Sequence, residues 1–376
     1  MIFKKTAKKI CAAVTAGIIG LTLTLPVMPA QVAMAKSKKS GVETGVGIAI
    51  GAAQMAAQRA EYRKQLKAYN ETDEGRQAVF EEAKKKYGVN EDYTLNARVD
   101  TLMSNLSKAV AQVDPSINDK PYLYFVNSSN EINAFCTFSH VMSINTGILK
   151  AFPNDDEIAV VVGHEMGHGQ KDHVYKGALS NIDKYIIASV GVAAAGGSLL
   201  SNIVGNLALN QSIAHGTKAN EKEADQLAFD YITHSNYNPG ATAAVWQRFL
   251  DLYGDNSQNA LGSIFAPSDH PNNAARRDTY VKRLEEYSDK HVTAKDGTVL
   301  VNNKTLLTAA PANGMSSAER SYFIFGNLAA AYHNGHNKES AYVSSGTVYL
   351  GAQPIITPVS GDESAQAIAD RLNEIK

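Results

Sequence analysis

Apolar residues recur at helical spacing through the middle of the chain. Leu95, Val99, Leu102, Leu106 and Val110 fall three or four apart, which predicts one face of a helix that Pro115 ends. Residues 122–126 and 141–145 are short apolar runs that predict strands, the second closed by Gly147. Between them lies Asn133-Ala134-Phe135. A sheet edge at that point would accept an extended peptide by strand addition, and an ordinary core sheet is the competing reading. At Asn154 the pattern returns to helix. Glu157 three positions on forms a capping-box-like pair, Asp155 and Asp156 place negative charge in the first turn, and Ile158, Val161, Val162 and Glu165 follow to about residue 170. Helices are also predicted over 219–235, 241–253 and 274–287. Asn238-Pro239-Gly240 separates the first two, and Trp246, Phe249 and Leu250 form the apolar side of the second.

The flanks read differently. Residues 41–58 are rich in Gly and Ala and predict a helix packed by small side chains. Residues 61–87 are so highly charged that they predict a solvated helical region, broken by Gly88-Val89-Asn90. Residues 185–207 are apolar but dominated by small and polar side chains, which favours a buried or lid-like helical hairpin over peripheral membrane contact. Beyond 291 the pattern changes again. Asp296-Gly297 between Val292 and Val299-Leu300-Val301 predicts a hairpin, followed by a helix over 317–333, a strand over 347–350 and a closing helix over 362–375. The chain thus divides into 1–35, an N-terminal helical segment 36–90, a central domain 91–290 and a small α/β accessory module 291–376.

Composition adds little beyond size. The 376 residues are 44% hydrophobic and 19% charged, enough for a substantial core, and a formal net charge of -1 carries no nucleic-acid signature. The first 35 residues are read as an export signal. Lys4, Lys5, Lys8 and Lys9 precede an apolar run over 10–27, and Ala33-Met34-Ala35 supplies an A-x-A cleavage site; an uncleaved anchor is the alternative. Cys11 leaves with that segment, and Cys136 alone allows no internal disulfide.

The chemistry is concentrated in His164-Glu165-Met166-Gly167-His168, an H-E-x-x-H pattern. Positions i and i+4 share a helix face, so two imidazoles can reach one zinc ion, with Glu165 beside them as general base. A catalytic zinc takes a third protein ligand. Lys171 and Val174 stand where a histidine would continue the motif, and His173 lies off the face of His168, as a surface residue or a partner of a ligand. Glu221-Lys222-Glu223-Ala224-Asp225 offers carboxylates instead: Glu221 and Asp225 share a face, the first able to bind metal and the second able to fix a histidine tautomer. Glu223 points elsewhere and is read as solvated. An ordinary charged helix is the competing reading of this segment.

H-E-x-x-H followed by E-x-x-A-D resembles zinc metallopeptidase family forty-eight, a gluzincin family that includes prenyl-protein endopeptidases, bacterial heat-shock proteases and periplasmic quality-control proteases. Asn133-Ala134-Phe135, Asn145-Thr146-Gly147, Tyr237-Asn238-Pro239 with Trp246, and His270-Pro271 with Arg276 extend the resemblance over roughly 95–287. It implies a mostly helical α+β zincin-type domain with a small sheet, one Zn2+ held by His164, His168 and Glu221, Glu165 as base, and Asp225 behind a ligand histidine. It also implies His270 near the metal, as an extra ligand, a gate or an oxyanion donor. Arg276 would hold that loop or a substrate carbonyl, and Asn133 and Ala134 would line the substrate edge. The chain lacks the clear flanking spans of the membrane members. The expectation is therefore an exported, soluble or peripheral endopeptidase of the periplasm or cell envelope, acting on misfolded or unassembled envelope polypeptides. A zinc-binding chaperone-like or structural envelope protein with a latent, gated site is the alternative.

Overall fold

The computed structural model describes residues 41–152, 154–183, 186, 200, 217–254 and 273–376. The expected signal, most of the 185–207 stretch and His270 lie outside these residues. The fold is α+β and mostly helical, as expected. Helices α1 (Gly41–Glu71), α2 (Asp73–Tyr87) and α3 (Tyr93–Val113) lead into a three-stranded sheet of β1 (Leu123–Asn127), β2 (Ala134–Thr137) and β3 (Val141–Asn145). The strand order is β1-β3-β2. β1 runs parallel to β3, with Leu123 opposite Val141, and β2 is antiparallel to β3, with Ala134 opposite Ile144. β2 is therefore an edge strand.

After α4 (Thr146–Ala151) comes α5 (Asp155–Gln170), which carries the histidine motif. Its start is built as the sequence requires: the Asn154 side chain accepts from the Glu157 N–H at 3.1 Å, and three acidic residues fill the first turn. The helix is buried from Glu157 to Gly169, so it runs through the core rather than along a surface. A short α6 (His173–Ser180) follows, then α7 (Lys218–Thr233), α8 (Ala241–Tyr253) and α9 (Asn273–Tyr287). α7 lies along α5, and Ala224 and Ala228 approach Gly167 and Gly163. No described helix is long and apolar enough to cross a membrane.

The solvated reading of 61–87 is overturned. Tyr62, Leu66, Val79 and Ala83 are buried in a second apolar cluster with Phe125, Phe138, Val141 and Val174. The two pairs sit four residues apart, a narrow stripe hidden among charges. Thr72 breaks the region by capping α2 through Gly75 N–H at 3.0 Å, and buried Arg76 donates to the carbonyl of Ser139 at 3.1 Å and to that of Pro121.

The C-terminal part is a duplication that pattern-reading missed. β4 (Val292–Lys295), β5 (Thr298–Val301) and β6 (Lys304–Thr308) form one antiparallel sheet, followed by α10 (Ser317–His333). β7 (Ala341–Ser344), β8 (Thr347–Leu350) and β9 (Gln353–Ile356) form another, followed by α11 (Ala365–Ile375). Gly297-Thr298-Val299 corresponds to Gly346-Thr347-Val348, and Thr308 to Thr357. The threonine hydroxyls pair in both copies, at 3.0 and 2.7 Å, and both sheets carry a register shift at the same place. Ser316 and Ser364 cap the two helices. This part shares one continuous apolar core with α3, α5 and α8. At the join, buried Arg248 of α8 bonds both Glu157 at the start of α5, at 3.1 Å, and Glu319 of α10, at 2.5 Å.

Candidate metal centre

Helical geometry brings the two motif histidines together. The Nε2 atoms of His164 and His168 stand 3.1 Å apart, and both rings are buried. Across from them α7 presents Glu221, one carboxylate oxygen 3.3 Å from His164 Nε2 and the other 3.3 Å from His168 Nε2. Among the described residues these three form a group whose ligand atoms all lie within 4.8 Å of one another. Donors around a tetrahedral ion with zinc-like bond lengths stand roughly 3.4 Å apart. The separations match that edge, and two imidazoles with one carboxylate are a donor set zinc accepts. The residues present therefore fit the metal.

Each neighbour is fixed in turn. Glu165 is fully buried, and one of its carboxylate oxygens accepts the backbone N–H of Cys136 on β2 at 2.9 Å. That N–H points away from β3, so the sheet edge faces the site. Asn133 and Ala134, also buried, lie just upstream on the same edge, and Asn133 accepts from the backbone N–H of Asn145 at 2.9 Å. Cys136 is itself buried, and its thiol is pushed well above its ordinary pKa by burial and by the charge of Glu165, which suits a packing residue rather than a nucleophile.

Asp225 sits one turn beyond Glu221, its oxygen 2.9 Å from His164 Nδ1. Burial pulls its pKa up, but the Arg276 guanidinium and His164 outweigh this and bring it to about 2. Arg276 donates to both carboxylate oxygens of Asp225, one bond at 3.0 Å, and its guanidinium lies 3.7 Å above the Trp246 ring. Tyr280 completes the clamp from α9, its hydroxyl 3.1 Å from the same carboxylate. Arg276 is thus brought to Asp225, where the expectation had it holding a loop or a substrate carbonyl. His164 shows the combined effect: burial lowers its pKa, yet the hydrogen bonds to Asp225 and Glu221 raise it to about 9 in the metal-free chain.

Of the two readings left open for His173, the structure favours the partner of a ligand, and it brings Glu223 in with it. His173 is buried, with Nδ1 3.0 Å from His168 Nδ1, and its Nε2 lies 3.1 Å from Glu223, which the solvated reading had left aside. A spacing of five reaches His168 because α5 ends at Gln170. Asp172, left-handed at φ 50°, turns the chain so that α6 begins with His173 pointing back at the motif. Lys120 and Asn70 hold the Asp172 carboxylate at 3.0 and 3.2 Å.

Comparison with known proteins agrees with this geometry. The chain is 28% identical over 163 residues to the metalloprotease LoiP of Escherichia coli, covering 43% of this chain and 62% of that protein. It is 30% identical over 145 residues to the mitochondrial metalloendopeptidase OMA1 of Arabidopsis thaliana, covering 39% of this chain and 28% of that one. It is 24% identical over 145 residues to the beta-barrel assembly-enhancing protease of Escherichia coli, covering 35% and 28%. The chain thus spans less than two thirds of the length of each of these relatives. The family model "Peptidase family M48" matches residues 94–286, from α3 through α9, a stretch that holds His164, Glu165, His168, Glu221, Asp225 and Arg276. With half of its length matched and the site inside the match, the chain belongs to peptidase family M48.

Proposed function

We propose that the chain is a zinc-dependent endopeptidase exported to the cell envelope, where it cleaves misfolded or unassembled polypeptides. The observation that carries the reading is the buried convergence of His164, His168 and Glu221 on one point, with Glu165 beside it. Those three residues would hold the zinc. A bound zinc supplies Lewis acidity, lowering the pKa of water and polarising a peptide carbonyl. Glu165 takes the proton from the attacking water and delivers it to the leaving amine. The Cys136 N–H anchors one oxygen of Glu165 and so fixes the plane of the carboxylate. The β2 edge at Asn133 and Ala134 receives the substrate as an added strand. Asp225, clamped by Arg276 and Tyr280, keeps the His164 proton on Nδ1, so that Nε2 is the atom that would bind the metal.

Export rests on the Lys-rich start and Ala33-Met34-Ala35. The envelope substrates rest on the beta-barrel assembly-enhancing relatives. Wild type loaded with zinc should digest casein, a chelator should abolish this, and Glu165→Gln should keep stoichiometric zinc while losing at least ~100-fold in rate. Casein cleavage by Glu165→Gln at the wild-type rate would refute the mechanism. Zinc bound without cleavage by wild type would favour a chaperone-like protein with a latent site. Mature protein from an expressing cell should begin near Lys36, which N-terminal sequencing reads directly.

A further inference from the structure

The outer nitrogens of the two ligand histidines are held by different devices. His164 Nδ1 meets the Asp225 carboxylate directly. His168 Nδ1 meets another imidazole, His173, and only beyond that ring comes the carboxylate of Glu223. We infer that His173 and Glu223 are positioning residues that set the tautomer of His168 and thereby zinc affinity, a reading that rests on the metal assignment above.

The proton arrangement follows from the contacts. A histidine that gives its Nε2 lone pair to a metal is neutral and carries its proton on Nδ1, as a donor. The partner of His168 Nδ1 must then accept, so His173 Nδ1 is unprotonated and its proton sits on Nε2. A carboxylate is an acceptor only, and Glu223, 3.1 Å from His173 Nε2, selects that form. Without Glu223 the ring is released to the other tautomer, which sets N–H against N–H across 3.0 Å and turns His168 away from the metal. α7 therefore supplies three acidic residues to one centre: Glu221 to the metal, Asp225 to His164, and Glu223 to His168 through His173.

The test is zinc affinity, measured by competition with a chromophoric chelator on the full chain. The Glu223 side chain is half exposed, so Glu223→Ala spares the core. Glu223→Ala and His173→Leu should each weaken zinc binding by about 10–100-fold. Glu223→Gln, which keeps an acceptor oxygen, and His173→Asn, whose amide oxygen can replace Nδ1, should recover most of the loss. Long-range 1H–15N spectra of zinc-loaded protein should show His173 protonated on Nε2 in wild type, and a mixture of tautomers in Glu223→Ala. A merely structural role would lower the melting temperature of the zinc-free protein without rescue by glutamine. Zinc affinity of Glu223→Ala and His173→Leu within twofold of wild type, with the tautomer unchanged, overturns the relay alone. A wild-type protein that holds no zinc overturns the metal assignment and the relay with it.

Discussion

Two glycines one turn apart on α5 should respond differently to the same substitution. Gly163 and Gly167 both face α7, and alanine at either gains helix propensity of about 1 kcal/mol. A Cβ at Gly163 would meet nothing nearer than the Ala228 Cα at 3.9 Å, an ordinary contact. Gly163→Ala should therefore stabilise by about 1–2 kcal/mol once the buried methyl is included. A Cβ at Gly167 would stand 3.1 Å from the Ala224 Cα, 3.2 Å from the Ala224 carbonyl oxygen and 3.3 Å from the Leu227 Cβ. Backbone atoms cannot rotate aside, so α7 must step back by a few tenths of an ångström. Overpacking of this kind costs about 1–3 kcal/mol, which cancels or outweighs the propensity gain. Ala224 lies on the turn that carries Glu221, so the same step draws the carboxylate away from the two imidazoles. Gly167→Ala should thus be up to ~2 kcal/mol less stable than wild type and should bind zinc more weakly. Urea unfolding of zinc-free protein, followed by circular dichroism, gives the first quantity, and chelator competition gives the second. Equal stabilisation by both substitutions, with zinc affinity unchanged, would refute the claim that contact at Gly167 sets the α5–α7 spacing.

Zinc uptake should release protons. His164 is raised to about 9 in the metal-free chain, so near neutral pH it is protonated and must give up that proton to bind metal. Affinity should rise with pH up to about 9, and calorimetry in two buffers of different ionisation enthalpy should report about one proton or more released per zinc at pH 7.5. By the same shift, the contribution of His164 to zinc-free stability is complete below its unfolded pKa of about 6.5 and is lost as pH rises through about 9. His270 lies three residues before α9, whose Arg276 rests on Asp225. If His270 has the gate role that the family resemblance implies, His270→Ala should turn over an unstructured peptide faster than wild type at equal zinc content. A slower rate would assign it to oxyanion support, and no change would remove it from the site.

Much of this was legible because local signals carried it. Asn154 with Glu157 marked the start of α5, Pro239-Gly240 the start of α8, and Asp296-Gly297 the hairpin between β4 and β5, where both turn residues have positive φ. The two-histidine spacing and the Glu221–Asp225 pair fell on the right faces, because a regular helix converts sequence separation directly into direction. The sequence decided less where direction depends on a break in the helix. For His173 the sequence left a surface residue and a partner of a ligand both open, because the turn at Asp172 has no strong marker, being held by Lys120 and Asn70 from elsewhere in the chain. The N-terminal helices looked solvated because Tyr62, Leu66, Val79 and Ala83 are few among many charges. The duplication was readable from Gly297-Thr298-Val299 and Gly346-Thr347-Val348, but only by comparing segments with one another rather than scanning each alone.

The cluster at Arg248 bears on where a working fragment can be cut. The family-matched stretch ends at residue 286, before α10 begins, so a chain trimmed to that match keeps Arg248 and Glu157 and loses Glu319. It also strips the cover from Gly240, which packs so closely on the Tyr322 carbonyl that not even a methyl fits between them. The first turn of the motif helix would then sit at a raw edge, with the Arg248 guanidinium stripped of one of its two carboxyl partners. The motif helix and the duplicated tail share one core, so the smallest piece expected to keep the candidate site in order extends well past the residues that the family model matches.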